Sequence, residues 1–423
     1  MRQFRIKIYV YGLLLISFGC IEEIDLQSEV DFESVLVIEA TITNELKPQE
    51  ILLSRSFPLE ADGPSPEANA SVRIVGDDNS INAFQEIEAG LYRSLNAFAA
   101  QPNVNYSLEV TTANGRMYGS DPKVLTAATQ IDNLYAERDF NENDEEGVSI
   151  YLDTFDPTGN SKYYRFEYEE TYKVIAPYYS PFELIIVNED FPYQPQVLSG
   201  LSETEIIEFF ILKQLREEQE QICYGSDRSN EIIVENSLQF DEDRLDGFRV
   251  RFISRDNYIL SHRYSILVSQ YVQSEEAHIF YKTLTALSDS ETIFSQSQPG
   301  FLNGNVFSVS NPSENVVGFF EVSSVDRERL FFNYSDLYPG EDLPPYYIDC
   351  DVIFSPGLYV SDPLTGIIGY SPIQDAVRDG DQYWEDNLVD GELNVLSPYQ
   401  MVFPPCGDCT VLGSNVIPDF WED

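Results

Sequence analysis

The sequence predicts a mainly β protein, with a sandwich of short strands at its N-terminal end followed by a larger β-rich domain with a few helices. Three observations predict it. Short runs such as "VLVIEATITN" alternate apolar and polar residues, the period-two signature of a strand with one buried face. Turn signals recur between the runs, at Gly76-Asp77-Asp78-Asn79, at Gly90 and at Asn114-Gly115, the last a dipeptide favoured in tight hairpins. The chain also carries 27 Tyr and 27 Phe against three Met, and aromatic side chains suit a pleated, half-buried surface.

The first segment is an address rather than a fold element. Arg2, Arg5 and Lys7 precede an apolar run from Ile8 to Phe18, then Gly19 and Cys20. That is the layout of a secretory signal peptide, and the run is shorter than the about 20 residues a spanning helix needs. Cleavage before Cys20 leaves a cysteine for acylation. Residues 1–19 therefore read as signal peptide, Cys20 as the lipidation site and 20–33 as a polar tether. An uncleaved apolar N-terminus is the competing reading.

Strands follow in residues 34–128: "VLVIEATITN", "QEILLSRS", a pair around the turn at 76–79, "LYRS", and two runs flanking Asn114-Gly115. Six or seven short strands in so few residues point to an immunoglobulin- or transthyretin-like β-sandwich. The remainder, 129–423, reads as the larger domain. Asp139 to Glu146 forms an acidic hairpin tip, only loosely like a calcium loop because the twelfth position holds Ile150. "KYYRFEYEETYKVIA" alternates aromatic with charged residues, as a strand with one wet face. The period then changes. Ser202 and Glu205 make a capping box, and an apolar stripe predicts a helix over 203–219. Strands return at "FRVRFISRD" and "HRYSILVSQYV". Ser274 caps a second helix over 275–287, followed by the strands "NVVGFFEVSSV" and "RLFFNY" and a loop-rich tail.

Twenty-five Lys and Arg stand against 72 Asp and Glu, a net charge of -47. Nucleic acid is excluded as a partner, because phosphate contacts require a basic face. Beyond Cys20 the cysteines are Cys223, Cys350, Cys406 and Cys409, and an even number in an exported protein predicts disulfides. Three pairings are open. Bridging Cys223 and Cys350 each to one member of Cys406-x-x-Cys409 closes the longer loops and is the expected one. A single C-x-x-C makes a four-cysteine zinc site unexpected.

Catalytic motifs are absent from the chain: there is no nucleophile elbow, phosphate loop, zincin helix or dinucleotide fingerprint. His262 and His278 are the two histidines, one in an expected strand and one in an expected helix. A glycosidase needs two carboxylates, and nothing selects a pair among so many. No cofactor and no metal are expected. A binding or assembly role is expected over an enzymatic one, with a surface hydrolase of glycans or peptides as the alternative.

Several stretches carry a likeness: "VIEATITNE" with "ILLSRS", "ICYGSDRSN", "RYSILVSQYVQSEEAHIFYKTL", "IFSQSQPGFLNGNV", "NPSENVVGFFEVSSVDRERLFFNY" and the ending "PPCGDCT…PDFW". In order and over almost the whole chain, they resemble the Bacteroidetes lipoproteins grouped as domain of unknown function 4249. The resemblance implies a lipid anchor in the outer membrane and a TonB-dependent outer-membrane transporter of the SusC type as partner. It implies that Glu22 and Glu23, just after Cys20, act as an export signal to the cell surface; a periplasm-facing anchor is the alternative. It brings no catalytic residue. Among the shared stretches, Gly300, Gly304 and Asn305 suit a tight loop, and Phe420 and Trp421 are placed to dock the C-terminus on a sheet.

Overall fold

The computed structural model describes residues 34–57, 63–288, 302 and 304–422. Cys20, Glu22, Glu23 and Gly300 lie outside them. The protein is mainly β, and its organising element is one strand, Val316–Asn333. Along its first half this strand runs parallel to the opening strand Leu36–Thr43, with Leu36 opposite Val316 and Thr43 opposite Ser323. Along its second half it runs antiparallel to Arg263–Gln273, from Val272 opposite Ser324 to Arg263 opposite Asn333. The sequence shows two strands here, "NVVGFFEVSSV" and "RLFFNY". The structure joins them, because the charged interval Asp326–Glu328 keeps its ladder to Val268–Gln270.

The strand therefore belongs to two cores. Phe320 and Val322 enter the first, with Leu36, Ile38, Ile42, Tyr92 and Leu108. Phe332 enters the second, with Tyr164, Phe166, Ile266 and Val268. All of these even-numbered residues of the strand share one face, as the period of two requires. Around the first core the sheet continues through Glu50–Arg55, Leu91–Ser94, Ile81–Glu88, Ser71–Gly76, Asn105–Thr111, Met117–Ser120 and Val306–Ser308. It rolls into a sandwich-like unit. Val306, Val316, Phe320 and Val322 complete that unit from beyond residue 128, the boundary expected from the pattern. The second core lies between Tyr163–Ile175 with Arg263–Gln273 and a separate three-stranded sheet, Ile131–Phe140, Glu146–Phe155 and Arg244–Ser254. The acidic tip joins the first two strands of that sheet. The Asn141 carboxamide accepts from the backbone of Asn143 and Glu145 there, so the tip is organised by its own turn.

The helix expected over 203–219 spans Glu203–Phe210, opened by the Ser202/Glu205 capping box. It stops early because other elements take its last carbonyls. Phe210 O accepts from Val187 N at 3.1 Å and from Gln374 Nε2 at 2.7 Å, and Phe209 O accepts from Asn188 Nδ2 at 2.7 Å. Ile211–Leu215 then pairs as a strand with Phe182–Ile186. The second helix spans Glu275–Ser288, with Ser274 Oγ accepting from Ala277 N. It lies across the face of the main sheet opposite the cores, against Phe319. Among the described residues no helix is long and apolar enough to cross a membrane.

Candidate functional site

The face of the sheet that carries this second helix is only partly covered. A cleft of about 700 Å³ opens beside the helix. Its floor crosses six adjacent strands, from Tyr163–Ile175 through Arg263–Gln273, Val316–Asn333, Leu36–Thr43 and Glu50–Arg55 to Leu91–Ser94. The cleft thus straddles the seam between the two cores. Phe280, Tyr281 and Leu284 of the helix form one wall, and the loop Arg228–Ile232 forms another.

Strand alternation places the polar floor. In "YYRFEYEE", Tyr164 and Phe166 are buried in the second core, so Arg165, Glu167 and Glu169 face the cleft. Arg165 is 7 % exposed. Its guanidinium lies 4.3 Å from the Tyr271 ring centre and 5.0 Å from that of Tyr281. Nη1 donates to Glu167, and Nη2 reaches Glu321 Oε2 at 3.4 Å. Tyr271 Oη donates to Glu167 Oε2 at 3.0 Å. Burial favours loss of the Arg165 proton, but Tyr281, Glu321 and Glu167 more than reverse this and raise its pKa. A buried charge without such partners costs several kcal/mol. The arrangement leaves two polar atoms without hydrogen bonds, Arg165 Nε and Glu321 Oε1.

The other cleft carboxylates differ in their surroundings. Glu50 pairs with Arg93 at 2.7 Å and Glu169 with Arg228 at 3.3 Å. Glu39 has no such partner among the described residues. It stands in a cross-strand row, Phe319–Glu39–Leu52–Leu91. Its carboxylate meets solvent through the cleft mouth, yet the surrounding walls withdraw enough water to raise its pKa. A second hollow of about 680 Å³ adjoins the first through Tyr168, Glu231 and Ile232, and carries Arg249, Arg251 and Lys282.

The residues singled out from the sequence fall elsewhere. Cys223 bonds Cys409 and Cys350 bonds Cys406, so neither half of the C-x-x-C is a free thiol. His278 lies within the second helix on its buried side, its ring 5.1 Å from that of Tyr163. His262 precedes Arg263. Tyr163 pairs with Gln273 and Arg263 with Asn333, at the two ends of the strand Arg263–Gln273, so the histidines stand roughly 30 Å apart at 3.3 Å per residue. Burial lowers the pKa of both. Among the described residues no group of three His, Cys, Asp or Glu is placed to hold a metal ion. "LNGNV" is more than a loop. A Cβ on Gly304 would lie 1.6 Å from Gly318 O, and the Asn305 carboxamide bonds both the N–H and the C=O of Phe320. Trp421 packs on Tyr224 and Phe331, and Phe420 lies 3.7 Å from the Arg329 guanidinium, which seats the C-terminus on the sheet. The cleft itself is not apparent from the sequence. Its signal was the alternation of Arg165, Glu167 and Glu169, but nothing local shows that residues near 40, 165, 270 and 320 meet.

Comparison with known proteins adds a family. None of the curated proteins matches the chain. Among solved structures, the cycloalternan-degrading enzyme from Trueperella pyogenes matches at 9 % identity and a TM-score of 0.15, covering 68 % of this chain and 31 % of that one. The same enzyme in complex with isomaltose matches at 8 % and 0.14, covering 70 % and 32 %. The chain spans about a third of that enzyme's length, and likeness at this level says nothing of fold or activity. The family described as Domain of unknown function (DUF4249) matches residues 21–329, and the chain belongs to that family.

Proposed function

We propose that the protein is a cell-surface lipoprotein of the Bacteroidetes outer membrane, anchored through Cys20. In this reading it is the binding partner of a TonB-dependent, SusC-like transporter in nutrient uptake, and the seam cleft is its recognition surface. One observation carries the preference for binding over chemistry: the charged groups of the cleft floor, Glu39 apart, already hold ion-pair partners. Glu167 and Glu321 share Arg165, Glu50 pairs with Arg93 and Glu169 with Arg228. A general acid needs a raised pKa next to a second, ionised carboxylate at about 5–10 Å. Glu39 has a raised pKa, and the carboxylates two positions along its neighbouring strands, Glu50 and Glu321, are each held by a guanidinium.

Purification under mild detergent from native outer membranes tests the reading, together with protease treatment of intact cells. A co-purifying barrel and cleavage of the chain from outside are expected, as is release of Cys20→Ala protein from the membrane fraction. Protection from external protease and no co-purifying barrel would overturn it. Hydrolysis of glycans or peptides by the purified protein, lost in Glu39→Gln, would favour the surface-hydrolase alternative.

A further inference from the structure

The second helix, Glu275–Ser288, sits on the sheet in two unlike ways. Ala277 and Phe280 pack on Phe319, with Tyr281 and Leu284 beside them. This small cluster is the helix's apolar anchor, and the same Phe280, Tyr281 and Leu284 make a wall of the cleft. Beneath the first turn the seat is polar. Tyr163 pairs with Gln273 and Thr43 with Ser323, while Val272 opposite Ser324 sets Gln273 beside Ser323. His278 closes over that row with its ring against Tyr163. One turn along, Arg165 reaches Glu321 under the Tyr281 ring. Five side chains of this layer are more than nine-tenths buried. Each holds a polar atom without a hydrogen-bond partner among the described residues: Arg165 Nε, Glu321 Oε1, Ser323 Oγ, both amide atoms of Gln273 and both ring nitrogens of His278. Buried polar groups are ordinarily paired, and leaving them unpaired costs free energy that contact with water returns. A helix on such a seat loses little by rising from it.

His278 makes the seat sensitive to protons. Burial, and then Lys282 one turn along the helix, lower its pKa, against Glu235 of the strand Ile233–Asn236. Tyr163 meets the ring from the strand Tyr163–Ile175, and Glu275 at the helix start faces that tyrosine. Burial raises the Tyr163 pKa, so it stays neutral where a histidine titrates. The strands Arg263–Gln273 and Val316–Asn333 present Gln273 and Ser323 to the ring, and neither titrates. Beyond them Arg165 and Glu321 hold each other as an ion pair.

We propose that the second helix is a movable wall of the cleft, seated while His278 is neutral and lifted from the sheet when that ring takes up a proton. It pivots at Ser274, the residue between the strand Arg263–Gln273 and the helix. Lifting draws Phe280, Tyr281 and Leu284 away from the floor, so the cleft is complete at neutral pH and open-sided in acid. What the movement regulates rests on the cleft being a recognition surface; the movement itself does not. The sign follows from linkage. The lifted ring has the ordinary histidine pKa of about 6.5 and the seated ring a lower one. The lifted state therefore binds the extra proton, and its population grows as pH falls through that interval.

Hydrogen exchange read by mass spectrometry tests it, on the purified full chain in detergent at pH 7 and pH 5, corrected for the intrinsic exchange rate. The helix amides of 279–287 should lose protection by roughly tenfold between the two. Those of Leu36–Thr43, in the ladder below, should keep theirs. His278→Phe leaves a ring on Tyr163 and removes the titrating nitrogens. Its helix should be better protected than the parent's at both pH values, and the fall should vanish. Gln273→Leu reads the same layer should His278→Phe not fold: an apolar side chain there should raise helix protection at pH 7 while the fall toward pH 5 persists. Equal helix protection at pH 7 and pH 5 in the parent overturns the proposal, as does an undiminished fall in His278→Phe. A fall shared equally by Leu36–Thr43, or lower helix protection in Gln273→Leu, also overturns it. The transporter reading stands or falls separately, on the native purification.

Discussion

Gly318 and Asn305 show how narrow the tolerances are at the seam. Gly318 has φ near +142°, and a Cβ there would lie 2.1 Å from Ile38 O. Asn305 supplies a side-chain amide where, among the described residues, the long strand has no neighbouring strand on that side, matching the N–H and C=O of Phe320 at 2.7 and 2.8 Å. Gly318→Ala should cost more than about 4 kcal/mol and leave little folded protein. Asn305→Ala strands two buried backbone groups and should cost about 2–4 kcal/mol in a urea titration, with an unchanged m-value. Asp156 makes a prediction in pH. Burial opposes its ionisation, but hydrogen bonds from Thr158, Asn160 and Ser161 prevail and lower it to about 2. A lowered folded pKa stabilises above the unfolded value and is lost as pH falls through the folded one. Asp156→Asn should therefore cost about 1–2 kcal/mol at pH 7, allowing for water at the loop's rim. The difference should shrink between about pH 4 and pH 2 in thermal melts.

At the scale of elements, one disulfide ties the tail to the body and the other, Cys350–Cys406, closes a loop within the tail. Cys223 sits in the strand Ile222–Arg228, at the outer edge of the main sheet, and Cys409 lies 186 residues further on. Their bond secures the edge where Tyr224 and Ser414 also exchange backbone hydrogen bonds. Replacing Cys223 and Cys409 together by alanine should cost roughly 2–5 kcal/mol and open the C-terminal segment to protease before the rest. Much of this scale was legible in the sequence. Strands with one wet face announce themselves by alternation, and the helix at Glu275 by its cap. The sequence pattern overextends the helix at Glu203, because its end is set by Asn188 and Gln374, residues that no local pattern connects to Phe209 and Phe210. The merged strand was hidden for a similar reason: Asp326, Arg327 and Glu328 read as a loop until Val268–Gln270 lies beside them.

For the molecule as a whole, the mainly β class was readable from composition and period, whereas the cleft was not, since its floor is assembled from segments almost 300 residues apart. The shared strand also sets cooperativity. Neither core can lose Val316–Asn333 and remain closed, so calorimetry and tyrosine fluorescence should report one coincident transition for both β units. Two resolved transitions, with the first unit surviving alone, would contradict this. The same strand has a consequence for the order in which the protein is made. A chain grows from its N-terminus, and Leu36–Thr43 appears well before the strand it pairs with. Its partner is encoded nearly 280 residues later. At a synthesis rate of about 5–20 residues per second, the opening strand waits for tens of seconds with one edge bare and Leu36, Ile38 and Ile42 short of their cover. The unit opened by Leu36–Thr43 thus stays unfinished long after its own strands are made, and whatever escorts the nascent chain must shield that edge until the strand near residue 316 arrives.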